Sequence, residues 1–238
     1  MKFFVDVSQR RRTPEVMDDP ALDAARHAAA LAGLARINLW SGSVRALWSA
    51  IRANGLASRG ERLRILDVAS GGGDVPIGLA LRARRAGVNV EVVGSDLSAT
   101  AVGFARERAA RAGADVEFRV LDALAGDLPA GFDVVTNSLF LHHLDDGDVV
   151  PFLVKAAAAT RRLLVIDDLV RSRAGHLFAR VGTHVISRCD VVHVDGPRSV
   201  EGAFTADEAR ALASRAGLSS ARIVRRFPCR WLLTWTPP

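Results

Sequence analysis

Acids close successive apolar stretches of this chain: Asp67 in 63–68, Asp96 just after 90–95 and Asp122 just after 116–121. A carboxylate placed there accepts both hydrogen bonds of a ribose diol, or one from an adenine amino group. Gly71, Gly72 and Gly73 follow Asp67, and Pro76 opens a helical pattern beyond them. Glycine has no Cβ and tolerates positive φ, so a ligand can approach the backbone. The helix start adds free N–H groups beneath that ligand. These are the requirements of a nucleotide site. A fourth stretch, 132–137, ends in Asn137 and runs through Ser138, Leu139, Phe140 and Leu141 into His142 and His143. Histidine titrates near neutrality, so either one suits removal of a proton from a hydroxyl. Asp168, after a fifth stretch at 162–167, would orient a histidine or take the proton itself. Asp167 precedes it, and adjacent strand residues point to opposite faces, so one of the two faces the site.

These residues need a scaffold that brings strand ends together. The five apolar stretches alternate with helical patterns over 75–86, 99–112 and 148–160. Repeated βα units of this kind predict a parallel sheet with helices on both faces. Ahead of them, 23–51 reads as helix broken near Gly42. Thr205, Ala206, Asp207 and Glu208 read as a capping box for a helix running to Gly217. Two strands follow, 221–227 and 229–236, joined by a tight turn at Pro228. Between them and the fifth strand lies a long connection, 169–203, with Arg171, Arg173, His176, His184, His193 and Asp195. Connections of that length usually serve a purpose, and this one leaves a strand's carboxyl end, so it is expected to cover the substrate. His184 or His193 is then a rival base. The expected organisation is an N-terminal helical lid over 1–55 and an α/β domain over 56–238.

Composition narrows the partners. The net charge of +6 invites a nucleic-acid reading, but Lys2 and Lys155 are the only lysines and the arginines are spread along the chain. Arg10, Arg11 and Arg12 form the one tight run, read as a solvated segment with an anion or partner contact as the alternative. Only 6% of residues are aromatic, which gives no stacking platform for single strands. Cys189 and Cys229 lack metal-type spacing and suggest a reducing compartment. Asp6 interrupts the opening Met1 to Val5, and no apolar run is long enough to span a bilayer. The expected location is the cytoplasm. With no tyrosine, acid–base chemistry falls to His, Asp, Glu or Cys.

From Leu63 to Leu144 the chain resembles the class I S-adenosylmethionine-dependent methyltransferases, and more loosely to its C-terminus. The resemblance implies a Rossmann-like three-layer α/β sandwich with a mostly parallel seven-stranded sheet, an antiparallel C-terminal strand and, here, the helical lid. It implies S-adenosylmethionine as cofactor, held by Asp67, Ala69, Ser70, Gly71, Gly73, Asp96, Leu97, Asp122, Ala123 and Asn137. Ala69 departs from the family's first glycine and is expected only to tighten packing. His142 and His143, with Asp168, match a branch acting on natural products and quinones, where the histidine pair lies beside the acceptor. The implied reaction is O-methylation of a small aromatic or polyketide-like molecule. C-methylation of a quinone precursor and a non-catalytic cofactor-binding subunit are the alternatives. A dinucleotide-binding domain fits less well, because Pro76 stands where its third glycine belongs. Asn137 is followed by Ser138 and Leu139 rather than by the prolines of enzymes that methylate nucleobase or glutamine amino groups. No metal, nucleic acid or membrane span is expected, and the chain is taken as monomer or homodimer. Arg36 is a weak candidate for the cofactor carboxylate.

Overall fold

Side chains alternate across the central strands, and both faces are apolar. Ile65, Val134, Leu163 and Val165 pack on one side; Leu66, Val135, Leu164 and Ile166 pack on the other. A strand apolar on both faces must be covered twice, which fixes a three-layer architecture. The computed structural model describes residues 6–19, 21–58 and 60–238. Met1 to Val5, the opening stretch that Asp6 interrupts, lie outside them.

The strands are β1 (Leu63–Val68), β2 (Val90–Asp96), β3 (Glu117–Val120), β4 (Phe132–Ser138), β5 (Thr160–Leu169), β6 (Arg222–Arg226) and β7 (Arg230–Trp235). They form one sheet in the order β3-β2-β1-β4-β5-β7-β6. β7 runs antiparallel to both its neighbours and the other pairings are parallel, as expected. The strand order reverses between β1 and β4, where Asp67 sits level with Gly94 on one side and Thr136 on the other. Such a reversal opens a crevice at the strands' carboxyl ends.

The helices are α1 (Ala24–Ser41), α2 (Ser43–Ala53), α3 (Asp74–Ala86), α4 (Ala99–Ala112), α5 (Asp146–Ala159), α6 (Arg173–Ile186), α7 (Asp190–Gly202) and α8 (Ala206–Arg215). Gly42 separates α1 from α2 at φ 71°, the left-handed conformation glycine adopts without strain. The capping box is formed: Thr205 accepts from the Glu208 N–H, and Glu208 accepts from the Thr205 N–H.

Two expectations change. The lid over 1–55 divides, because Leu47, Trp48 and Ile51 bury α2 in the core beside α3 and the sheet. Among the described residues of 1–55, those that reach the crevice lie on α1 and in the segment before it. The connection over 169–203, expected to cover the substrate, folds as a helical hairpin, α6 and α7, and none of its residues lines the cavity at the crevice. Among the described residues no helix is long and apolar enough to cross a membrane.

Candidate active site

A cavity of about 640 Å³ opens at the strand-order reversal. Its floor is Asp67, Ala69, Ser70, Gly71, Gly72 and Asp96; its sides include Leu97, Asp122, Ala123 and Ser138. Gly71 takes φ 51° and donates its N–H to Asp96 Oδ2 at 2.8 Å, while Asp96 Oδ1 accepts from the Ser98 N–H at 2.9 Å. The Asp96 carboxylate is thus held at the cavity edge by backbone. Asp122 is held likewise by the Leu124 N–H at 2.8 Å. Ala69 has φ 54° and Leu139 φ 59°, both lining the cavity. Left-handed backbone at a non-glycine residue is strained, of order 1–2 kcal/mol, and such strain gathers at functional sites.

Asp67 is 1% exposed, and its Oδ1 accepts from the Thr136 hydroxyl at 2.6 Å. Burial, together with the charges of Asp74 and Asp96, raises its carboxyl to about 7, against the hydrogen bond from Thr136. Asp74, hydrogen-bonded by Asn38 at 3.0 Å, is also raised by burial. The cavity floor therefore carries acids and, among the described residues, no cation paired with Asp67. That donor set fits a ligand bearing positive charge and a ribose.

Two expected cofactor contacts have other duties. A Cβ at Gly73 would lie 2.7 Å from the Phe118 ring and 2.8 Å from Ala105, at φ 74°, so this glycine lets α3 close on α4 and β3. Asn137 is buried, donates to the Val68 carbonyl at 2.8 Å and braces β4 against β1 beneath the loop; it does not reach the cavity wall.

The histidines separate. His142 is 4% exposed, with Nδ1 2.6 Å from Asp168 Oδ1, and Asp168 also accepts from the Leu169 N–H. Burial disfavours the Asp168 carboxylate, but His142 and these hydrogen bonds prevail and hold it below the usual range. Asp168 thus orients a histidine and does not itself line the cavity. Asp167 turns to the opposite face, where Arg226 donates to it at 2.7 and 2.8 Å and Arg230 at 2.9 Å. His143 does line the cavity, with Nδ1 3.0 Å from Asp18 Oδ2. Burial works against its imidazolium, but Glu15, Asp18 and Asp168 outweigh it and raise its pKa to about 9.

A strap over residues 6–19 crosses this wall. Arg10 donates to the carbonyls of Gly202, His142 and Leu144 and pairs with Asp146; Arg12 donates to the His143 carbonyl. Two of the three arginines read as a solvated run therefore bind the turn after β4. Met17, Asp18, His27, Leu31 and Asn38 join the cavity lining, and none of them was singled out by sequence as a site residue. Asp195 accepts from the Val16 and Met17 N–H groups and so holds the strap. His184 and His193 stack on each other at 4.0 Å, bonded to backbone carbonyls outside the cavity. Arg36 reaches the Ala32 and Ile186 carbonyls, not the cavity.

Residues 65–162 match the family model described as "Methyltransferase domain". The chain is 30% identical over 157 residues to the ubiquinone biosynthesis O-methyltransferase of Bordetella parapertussis, covering 65% of this chain and 61% of that one. It is 36% identical over 118 residues to the demethylmenaquinone methyltransferase of Thermus thermophilus, covering 49% and 52%. The chain thus spans about half to three-fifths of the length of the curated relatives it matches. Magnesium protoporphyrin IX methyltransferase from Synechocystis PCC 6803, solved with bound SAH, superposes with a TM-score of 0.59 at 18% identity, covering 83% of each chain. Residues 65–162 thus match a methyltransferase domain, and the chain has the strand order and fold of methyltransferases solved with bound SAH.

Proposed function

We propose that this protein methylates a hydroxyl of a small aromatic or polyketide-like molecule, with S-adenosylmethionine as donor. One observation carries the reading: His143 and Asp18 stand in the wall of the same cavity whose floor holds Asp67, Asp96 and the glycine loop. Cavities of this size commonly hold small ligands and cofactors. When bound, S-adenosylmethionine supplies a methyl group made electrophilic by its sulfonium. Asp96 and Asp122 would hold the nucleoside, and Asp67 would face the positively charged part. Leu31, on α1 above Gly71, and the strap residues Met17 and Asp18 would shield the bound methyl group from water. His143 would move the acceptor proton. In the resting site it is already protonated at neutral pH, so the reactive complex, with acceptor bound, carries one proton fewer than the dominant form.

A second reading, methylation of a ring carbon in a quinone precursor, is favoured by that same protonation, because an electron-rich carbon attacks before any proton leaves. Cytoplasmic location belongs to the proposal too: Cys189 and Cys229 are free thiols, as a reducing compartment keeps them. The test is calorimetric titration with S-adenosylhomocysteine and, in parallel, NAD. Turnover of phenols, quinols and sugars with isotopically labelled methyl donor follows, with the labelled position assigned by NMR. Micromolar binding of the first ligand alone, and label on oxygen, is expected. Label on carbon selects the second reading, binding without any turnover selects a non-catalytic subunit, and NAD binding sinks all three.

A further inference from the structure

The strap brings together one carboxylate and two imidazoles that sequence spacing keeps apart. Glu15 Oε1 lies 3.7 Å from His142 Nε2 and 3.9 Å from His143 Nε2. The three donor atoms all fall within 4.8 Å of one another. Glu15 and His142 are buried, and His143 is half-buried. The other ring nitrogens are already engaged, His142 Nδ1 with Asp168 at 2.6 Å and His143 Nδ1 with Asp18 at 3.0 Å. A carboxylate at Nδ1 fixes a proton there, so Nε2 is the nitrogen open to an ion, which at His143 displaces the second proton of the imidazolium. Two Nε2 atoms and a carboxylate oxygen then face one another, an arrangement that suits a cation.

The spacing says which. A charge-assisted N–H···O bond would draw nitrogen and oxygen to about 2.8 Å. Tetrahedral bonds of about 2.1 Å to one shared ion hold their ligands about 3.4 Å apart. The observed separations stand closer to the second value. Two nitrogens and one oxygen suit zinc and its neighbours, whereas magnesium and calcium take oxygen ligands. Asp168 and Asp18 supply the outer carboxylates that orient metal-bound histidines.

We propose that Glu15, His142 and His143 bind a divalent transition ion of the zinc type, which clasps the N-terminal strap to the turn after β4. Asp18 lines the cavity and Glu15 does not, so the ion lies behind His143 as seen from the cavity. With the ion on Nε2 and Asp18 on Nδ1, both ring nitrogens of His143 are taken, so the clasp and the base role of His143 exclude each other, whereas the cofactor end of the cavity is separate from both. It departs from the expectation of no metal, because Glu15 meets His142 and His143 only in the folded strap.

Untagged protein, dialysed against EDTA, is titrated calorimetrically with zinc chloride and, separately, with S-adenosylhomocysteine. A single equivalent of Zn²⁺ is expected to bind at micromolar concentration or below, with no comparable uptake of Mg²⁺. Glu15→Gln weakens zinc binding about tenfold or more, and Asp168→Asn weakens it by about 10- to 100-fold. Co²⁺ gives visible ligand-field absorption, and Zn²⁺ slows tryptic cleavage after Arg11 and Arg12. No stoichiometric zinc uptake by the wild type, or unchanged affinity in Glu15→Gln, overturns the clasp. If that variant fails to fold, the wild-type cobalt spectrum decides, and its absence counts against the site. S-adenosylhomocysteine binding without zinc uptake removes the clasp and leaves the methyltransferase reading intact; zinc uptake without S-adenosylhomocysteine binding does the reverse.

Discussion

His142 Nδ1 lies 2.6 Å from Asp168 Oδ1, and this buried pair ties the turn after β4 to the end of β5. It leaves His143, one residue on, in the cavity wall.

The neighbouring histidines should therefore fail differently. His143→Gln is expected to fold, to bind S-adenosylhomocysteine with little change and to lose about 100-fold or more in kcat for a hydroxyl acceptor. His142→Ala leaves the buried Asp168 carboxylate without its partner and should cost about 3 kcal/mol of stability. Changing both to alanine would confound the two effects. Steady-state kinetics beside urea denaturation separates them, and the hydroxyl assignment is lost if His143→Gln turns over at the wild-type rate.

In metal-free protein the His143 pKa is raised from 6.5 to about 9. A histidine raised by folding contributes stability that is fully present below its unfolded value and is lost as pH rises through the folded one. Melting temperature should thus fall between about pH 7 and 9, and His143→Gln should flatten that fall. Over the same window the methylation rate of a hydroxyl acceptor should rise, because its reactive complex is the deprotonated one. A rate flat across this range would favour the ring-carbon reading.

Asp67 has the opposite linkage. Folding raises its carboxyl from 3.8 to about 7, so the folded state binds the extra proton between those values and the penalty of a buried charge grows as pH rises. Asp67→Asn should stabilise the protein above about pH 7, on the order of 2–4 kcal/mol, and have little effect on stability near pH 4. The same change should weaken S-adenosylhomocysteine binding about tenfold or more, since it removes a charge facing a cationic group. In the wild type that binding should tighten from about pH 6 to 8, with proton release measurable by calorimetry in buffers of different ionisation enthalpy. Gain of stability with unchanged affinity would remove Asp67 from the cofactor site.

The sheet and its helices were legible because their signals are local. The alternation of Ile65 with Leu66 and of Val134 with Val135 follows from period two. The Thr205 capping box spans a single turn. Asp67 and Asp96 were found because each sits at a strand end. Gly73 reads in sequence as part of the cofactor loop because its packing partners, Phe118 and Ala105, arrive from β3 and α4 and leave no local signal. Glu15 and Asp18 carry no periodicity and no cap, and they meet His142 and His143 only through the folded strap. Arg230, 2% exposed and paired with Asp167, likewise looks in sequence like any strand-edge arginine.

Arg10 tests the strap directly. Its guanidinium donates to the carbonyls of Gly202, His142 and Leu144, pairs with Asp146 and stacks 4.1 Å above the Phe204 ring. A solvated arginine would cost nothing to remove, because surface changes usually stay within about 0.5 kcal/mol. Arg10 instead satisfies carbonyls that line a partly buried seam, and leaving such groups unpaired costs about 1–3 kcal/mol each when water cannot reach them. Arg10→Ala is expected to destabilise by about 1–3 kcal/mol, to speed tryptic cleavage after Arg12 and to raise the dissociation rate of S-adenosylhomocysteine, because the strap carries Met17 and Asp18 onto the cavity. Arg11→Ala serves as the control, since Arg11 is exposed and makes no side-chain hydrogen bond among the described residues. Equal behaviour of the two variants would mean that the strap is not held by Arg10 and that the cavity wall it forms is not closed in solution.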